Sequence, residues 1–252
     1  MAGARSLEEY AADGVLVLGG AAAILLQLAD PVVARGVAEH SSFGSDPMRR
    51  LRNTLTYVYA IGLGTEQQQQ LVARYVDARH RRIPGAQDAT HQLWVAATLH
   101  DVGRTLHEQV HGPLAPDVAD EIYAANARLG TLLQLPDGAW PASRAAFADY
   151  WAEAVAALEV TDVARATAHE LLHSRAIPWW TRPAMPLVRT VTAGLLPASV
   201  RSAYGLPHHP RRYRAAIGVA RVLVRVTPRR VRELPSRRLL ARLSQASAPR
   251  TT

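Results

Sequence analysis

Two pentapeptides carry the spacing of a zinc-binding helix: HEQVH at 107–111 and HELLH at 169–173. Histidines at i and i+4 share one helix face and can both reach a metal, and the glutamate beside the first can serve as base toward a metal-bound water. Neither match finds its third ligand nearby. After His111, Gly112 and Pro113 end the helix, Leu114 stands where the longer metzincin pattern needs glycine, and Asp117 stands where it needs a third histidine. Beyond His173 the side-chain carboxylates reduce to Glu233, with His208 and His209 as the remaining donors. A zinc metallohydrolase is therefore an alternative reading, and the leading one makes both motifs helix-end histidines and glutamates on a solvated face.

Another histidine differs in its surroundings. Val72, Val76, His80 and Ile83 fall on one helix face while Arg74, Asp77 and Arg81 point elsewhere, so His80 closes an apolar stripe. An imidazole there is either a hydrogen-bonded core residue, which periodicity favours, or an axial ligand for haem iron with Arg79, Arg81 and Arg82 at hand for the propionates. His40 and His100, each after an apolar run, read as hydrogen-bonded histidines near helix ends. Arg50, Asn53 and Thr54 sit at i, i+3 and i+4 in DPMRRLRNTLTYVYAIGLG, beside the face of Leu51, Leu55 and Val58. That triad is either a surface stripe or a polar cluster over a buried ligand.

The elements that must position these residues are helices. Apolar residues recur at helical spacing over about 6–29, 32–40, 47–63, 66–82, 90–110, 116–133, 143–156 and 161–172, and no stretch alternates with period two. Asp46-Pro47, Ala115-Pro116 and Thr161-Asp162 look like starts, and Gly64, Gly112 and Gly130 like stops. The pattern is all-α. After Leu172 a Pro- and Trp-rich stretch with a short helix around 187–195 reads as a packing lid, and the chain beyond His208 is arginine-rich.

Composition narrows the function classes. Cysteine is absent, which removes disulfide frameworks, thiolate nucleophiles and Cys-ligated metal sites. Lysine is absent too, and residues 201–252 hold 13 Arg against Glu233 alone, a net of +12, while the first 200 positions carry 16 basic and 20 acidic residues, a net of −4. The basic tail suits an anionic membrane surface, and a non-catalytic membrane-surface binding protein is a second alternative; no specific nucleic acid is expected. Glu8, Glu9 and Asp13 stand where a signal peptide wants positive charge, so the expected location is cytoplasmic, peripheral at the membrane through the tail. The uncharged run from Gly14 to Ala29 is 16 residues, short of the ~20 of a spanning helix, and reads as a buried core helix. No phosphate loop, dinucleotide fingerprint, nucleophile elbow or EF-hand is present.

The blocks LLQLADPVVARGVAEHSSFGSDPMRRLRNT, YVDARHRRIPG, LWVAATLHD, GPLAPDVADEIYAANARLGTLLQLP and TAGLLPASVRSAYGLP follow one another through about residues 14–207. In order and spacing they resemble the MpaB-type and latex-clearing (rubber) oxygenase family. The resemblance implies an all-α domain with a globin-like helical core at 6–207, followed by the Arg-rich extension at 208–252, partly disordered. It implies haem b with His80 as the axial iron ligand, Ile83 and Gly85 completing that block, and Arg81 beside the cofactor. Arg50, Asn53 and Thr54 match the family's distal Arg-x-x-Lys-Thr motif and are the expected catalytic set, with Asn53 in place of the lysine. Asp30 stands where the family shows the histidine of an HP pair, and Glu39 is the nearest candidate for a catalytic base. The implied activity is that of a haem-dependent oxygenase using O2 on a small hydrophobic, isoprenoid-type substrate.

Overall fold

The computed structural model describes residue 4 and residues 6–40, 47–132, 135–174 and 177–247, without the side chains of residues 40, 47, 50, 246 and 247. In chain order the helices are α1 (Leu7–Ala12), α2 (Gly20–Leu28), α3 (Pro31–His40), α4 (Pro47–Leu63), α5 (Glu66–His80), α6 (Ala89–His111), α7 (Pro116–Thr131), α8 (Arg144–Ala156), α9 (Asp162–His173), α10 (Met185–Leu195), α11 (Ala198–Ala203), α12 (Pro210–Val226), α13 (Arg229–Arg232) and α14 (Leu234–Ser247). Two 3-10 segments, Gly14–Gly19 and Trp179–Ala184, join them. No strand occurs among the described residues, so the fold is all-α as the periodicity indicates.

Helix ends follow local side-chain chemistry. The Ser6, Asp88, Ser143 and Thr161 side chains each accept a backbone N–H in the first turn of the helix that follows, and Thr65 with Gln68 forms a reciprocal capping box on α5; each cap is worth about 1 kcal/mol. Asp30 caps α3, taking the N–H of Val32 at 2.8 Å and of Val33 at 3.1 Å on Oδ1. Its other oxygen meets His91 Nδ1 at 2.7 Å. This pairing ties the α2–α3 corner to the first turn of α6.

The sequence-predicted helix over 6–29 is divided. Asp13 and Gly14 interrupt it, the Asp13 side chain turning back to accept Val15 N–H at 3.0 Å and starting a 3-10 segment. The break redirects the chain so that α2 enters the centre of the molecule and the Asp13 carboxylate is left inside, 4% exposed. Ala22, Leu25, Leu26 and Leu28 of α2 are fully buried, under α6, α3, α9 and α10. Burying each such leucine is worth about 1.5–3 kcal/mol. Among the described residues no single helix is long and apolar enough to cross a membrane, and the apolar run bends by 108° between Gly14–Leu28 and Pro31–Glu39.

The residues set apart in the sequence as a basic extension fold against this body. α12 packs on α6 and α10, and α14 on α4 and α5. The contact between α10 and α12 is close because Gly194 lets the Tyr213 ring lie on its backbone. Glu233, the acid of the basic segment, is 6% exposed and accepts from Arg229 and from Arg237 NH2, the latter at 2.6 Å. The Arg229 hydrogen bond, against burial and with help from Arg237, holds this carboxyl below its ordinary 4.5.

Two outcomes follow from this packing. In Gly194→Ala the new Cβ falls inside the Tyr213 ring, and thermal unfolding should show a loss of about 1–3 kcal/mol with α12 partly released. Glu233 has a depressed folded pKa, so its stabilisation is complete above the ordinary 4.5 and lost as pH falls through the lower folded value. Glu233→Gln should therefore lower Tm at pH 7, and the gap to the native chain should close in strongly acidic buffer.

Candidate functional site

α4 and α5 form an antiparallel hairpin through Gly64 and Thr65. At 1.5 Å per residue, Arg50 lies about 20 Å back from the hairpin turn along α4 and His80 about 21 Å along α5, so both stand at its open end. Asn53 is exposed and Thr54 half-buried, one turn further in, while the Arg50 side chain lies outside the described residues. His80 is the last residue of α5, half-buried, with Nδ1 shut off from solvent. Below it the apolar stripe continues through Val76 and buried Val72 into a cluster with Tyr57, Ala60 and Ile61 of α4.

The turn after His80 is rigidly seated. Ile83 N–H donates to His80 O at 2.9 Å, and Gly85 adopts φ 77° where a Cβ would strike Val32 of α3 at 2.7 Å. Gly36 of α3 in turn makes room for Ile83, since a Cβ there would meet the Ile83 side chain at 2.9 Å. Arg81 is ion-paired with Asp77 at 3.2 Å and its side chain is 62% exposed, and Arg79 lies over the Tyr75 ring. Exposed Arg82 makes no ion pair among the described residues. An imidazole at the head of an apolar stripe with a cationic rim is the donor set a b-type haem uses, and these residues fit that group.

The motif histidines separate into a surface pair and a buried pair. His169 and His173 are exposed, stacked with centroids 4.5 Å apart, and gather no carboxylate among the described residues. His107 and His111 differ from the solvated-face expectation. His107 is 1% exposed, the two rings stack at 4.4 Å, and Asp13 joins them so that one ligand atom from each lies within 4.8 Å of the others. Sequence reasoning missed Asp13 because it sits more than 90 residues upstream and reaches the motif through the break before α2.

Electrostatics around this cluster are coupled. Asp13 Oδ2 takes Arg232 NH1 at 2.5 Å and lies 2.9 Å from His111 Nε2. Burial pushes the Asp13 carboxyl up, but His111, Val15 N–H and Arg232 outweigh it and hold it below the ordinary range. Burial, helped by the charge of His111, pushes His107 down to about 4. His107 Nε2 accepts Ala4 N–H at 3.1 Å, which puts its proton on Nδ1. The motif glutamate is turned away: Glu108 Oε2 accepts Arg104 NH1 at 2.8 Å, so it is not poised as a base toward the cluster.

His100 is a third kind. It is 2% exposed, boxed by Tyr123, Trp140 and Phe147 with centroids 4.9–5.9 Å away, and its Nδ1 accepts from Asn126 at 2.8 Å. It is a satisfied core histidine, though it lies mid-helix in α6 rather than at a helix end.

With this geometry in hand, the comparisons decide the family. The chain matches the family described as ER-bound oxygenase mpaB/B'/Rubber oxygenase, catalytic domain, over residues 8–248. The chain belongs to this oxygenase family. It is also 33% identical over 227 residues to the uncharacterized protein Rv2237 of Mycobacterium tuberculosis and to the uncharacterized protein Mb2261 of Mycobacterium bovis, covering 83% of this chain and 89% of each relative. No solved structure gives a significant match. The family domain runs through α12 and the whole of α14, which agrees with their packing on the body.

His100 carries a pH prediction. Burial, with Arg104 and Arg144 adding to it, pushes its imidazole down to about 3 from the ordinary 6.5. The unfolded chain then binds the extra proton first, so stability falls as pH drops from about 6.5 toward about 3. Denaturation at pH 7 and pH 4.5 should show a shallower pH dependence in His100→Leu than in the native chain.

Proposed function

We propose that the protein is a haem b-dependent oxygenase that uses O2 on a small hydrophobic substrate of isoprenoid type. The observation that supports it is His80: within an oxygenase-family domain, it stands half-buried at the head of an apolar stripe, at the open end of the α4–α5 hairpin, with Nδ1 sealed from water. His80 would be the axial ligand, held by the Ile83–Gly85 turn against α3. Haem bound there supplies the activation of O2 for attack on a carbon–carbon double bond.

The chain's own residues have separable tasks. Arg50 supplies a fixed positive charge and Thr54 a hydroxyl donor toward the reacting oxygen. Asn53 stands where the family's distal lysine would be, and its amide offers hydrogen bonds without a charge. Tyr57, Val58 and Val76 keep water from the floor of the site. Arg81, paired with Asp77 and largely exposed, would hold a propionate.

Substrate supply fits a peripheral position at an anionic membrane facing the cytoplasm. Val219, Val222, Leu223 and Val226 of α12 are each more than half exposed, and Trp179 and Trp180, in the 3-10 segment that packs on α10, are 77% and 66% exposed. At 100° per residue these four aliphatics form one strip beside the buried face, and Arg214, Arg221 and Arg225 flank it. Such a strip, apolar below and cationic at the edge, suits the interface where hydrophobic substrates reside.

Absorption spectroscopy tests the cofactor. The full chain reconstituted with haem should show a Soret band that His80→Ala loses, while Thr54→Ala keeps the band and loses O2 consumption on the order of 10–100-fold. A chain that takes up no haem, or that takes it up unchanged in His80→Ala, contradicts the assignment.

A further inference from the structure

HEQVH fails as a hydrolase motif, yet its two histidines do not behave as structural residues. Three nitrogens in one place, His107 Nδ1, His111 Nε2 and Arg232 Nε, are buried without a hydrogen-bond partner. His111 Nε2 is only 2.9 Å from Asp13 Oδ2, but off the line along which its N–H could donate. Buried polar atoms are nearly always paired; Arg232 Nε and His107 Nδ1 carry protons and call for acceptors, so it is His111 Nε2, facing the Asp13 carboxylate, that leaves a place for a cation.

We propose that Asp13, His107 and His111 form a second metal site, distinct from the site at His80, that binds one divalent first-row transition ion of the zinc or iron(II) class. Bonds of about 2.0–2.1 Å set tetrahedral ligand–ligand edges of roughly 3.3 Å. The His111–Asp13 pair already stands near that separation, and all three ligand atoms are within 4.8 Å. A metal replacing the misdirected proton between Nε2 and Oδ2 satisfies both, and His107 completes the set through Nδ1 once its proton moves to Nε2, which then gives up the Ala4 N–H. Arg232 then keeps its hydrogen bond to Asp13 as the outer partner that orients a ligating carboxylate.

The donors also select the ion. Two imidazoles and one carboxylate are too nitrogen-rich for calcium or magnesium, and the absence of cysteine leaves this N2O set as the kind shared by open zinc sites and non-haem iron(II) centres. His107 and Asp13 are 1% and 4% exposed, so a metal held there is shielded from water. Glu108 is committed to Arg104, so hydrolysis is not the use. An apolar cleft of about 240 Å3 between α10, α12 and the Asp13–Gly14 break ends on Asp13 and Arg232. The metal would lie behind its floor, clamping the start of the chain to α6 and, through Arg232, to α13.

Metal binding to the full chain, with or without haem, is the test. After chelator treatment, equilibrium dialysis against Zn2+ and elemental analysis should give one zinc per chain in addition to any haem iron, with a rise in Tm. His107→Ala and the milder His111→Gln should each weaken zinc binding by about 100-fold with circular dichroism unchanged, and His169→Ala should leave it intact. The proposal is overturned by no saturable zinc uptake, by uptake unchanged in both cluster variants, or by uptake lost only in His169→Ala. Because the Soret band is read in His80→Ala and zinc in the His107 and His111 variants, failure here leaves the oxygenase reading standing, and failure there leaves this one.

Discussion

A helix buried on every side has no water for its last carbonyls, and α2 is such a helix. The rest of the molecule is arranged to meet that requirement. Trp94 Nε1 donates to Leu26 O at 3.1 Å, Tyr204 OH to Leu25 O at 2.7 Å, and Gln27 reaches Thr98 Oγ1 at 3.1 Å. The donors come from α6 and from the end of α11, elements separated by about a hundred residues, so the long α6 and the C-terminal third must both close on α2 before its polar ends are satisfied. Asp30 then turns the chain into α3, whose Gly36 and Val32 seat the turn that follows His80. The position of the proposed axial ligand is thus inherited from the burial of α2.

The same constraint explains why the two histidine sites differ. α5 has one side on the core and ends at the surface, so His80 is half-buried with Nδ1 shut off from solvent. α6 crosses the interior, and His100 and His107 on it are sealed. Sealing favours the neutral imidazole, which directs His100 to an aromatic box and an amide, and the His107 lone pair to the Ala4 N–H.

Much of the fold was legible in the sequence, because helix periodicity, caps and prolines act locally. Thr65, Asp88, Ser143 and Thr161 start helices where their side chains predict, and Gly112, at φ 98°, ends α6 after HEQVH. The break at Asp13 was not legible, since an acid and a glycine in a run of good helix formers carry a weak local signal; tertiary burial decided it. For the same reason the third member of the His107 cluster could not be read from spacing. Arg50, Asn53 and Thr54 are readable as one face of α4, but spacing alone does not distinguish a solvated stripe from a site, and Asn53 is exposed on this hairpin.

Charge gives the C-terminal third its double character. In the sequence its arginines form one basic extension, yet in the fold Arg232 is drawn inside to neutralise Asp13, and Arg229 and Arg237 close on Glu233. A net of +12 over residues 201–252 cannot be cancelled by so few acids. Folding therefore divides the arginines by partner: Arg232 docks α13 onto the body through Asp13, Arg229 and Arg237 join α13 to α14 through Glu233, and Arg221 of α12 donates to Gln109 O of α6 at the edge of the apolar strip. The strip's aliphatics cannot turn inward, because the buried face of α12 is already filled by Ala216, Ile217 and Ala220 against α6. Docking the helix and leaving an amphipathic face outside are consequences of one sequence pattern, wider in its apolar arc than the neighbouring helices can cover.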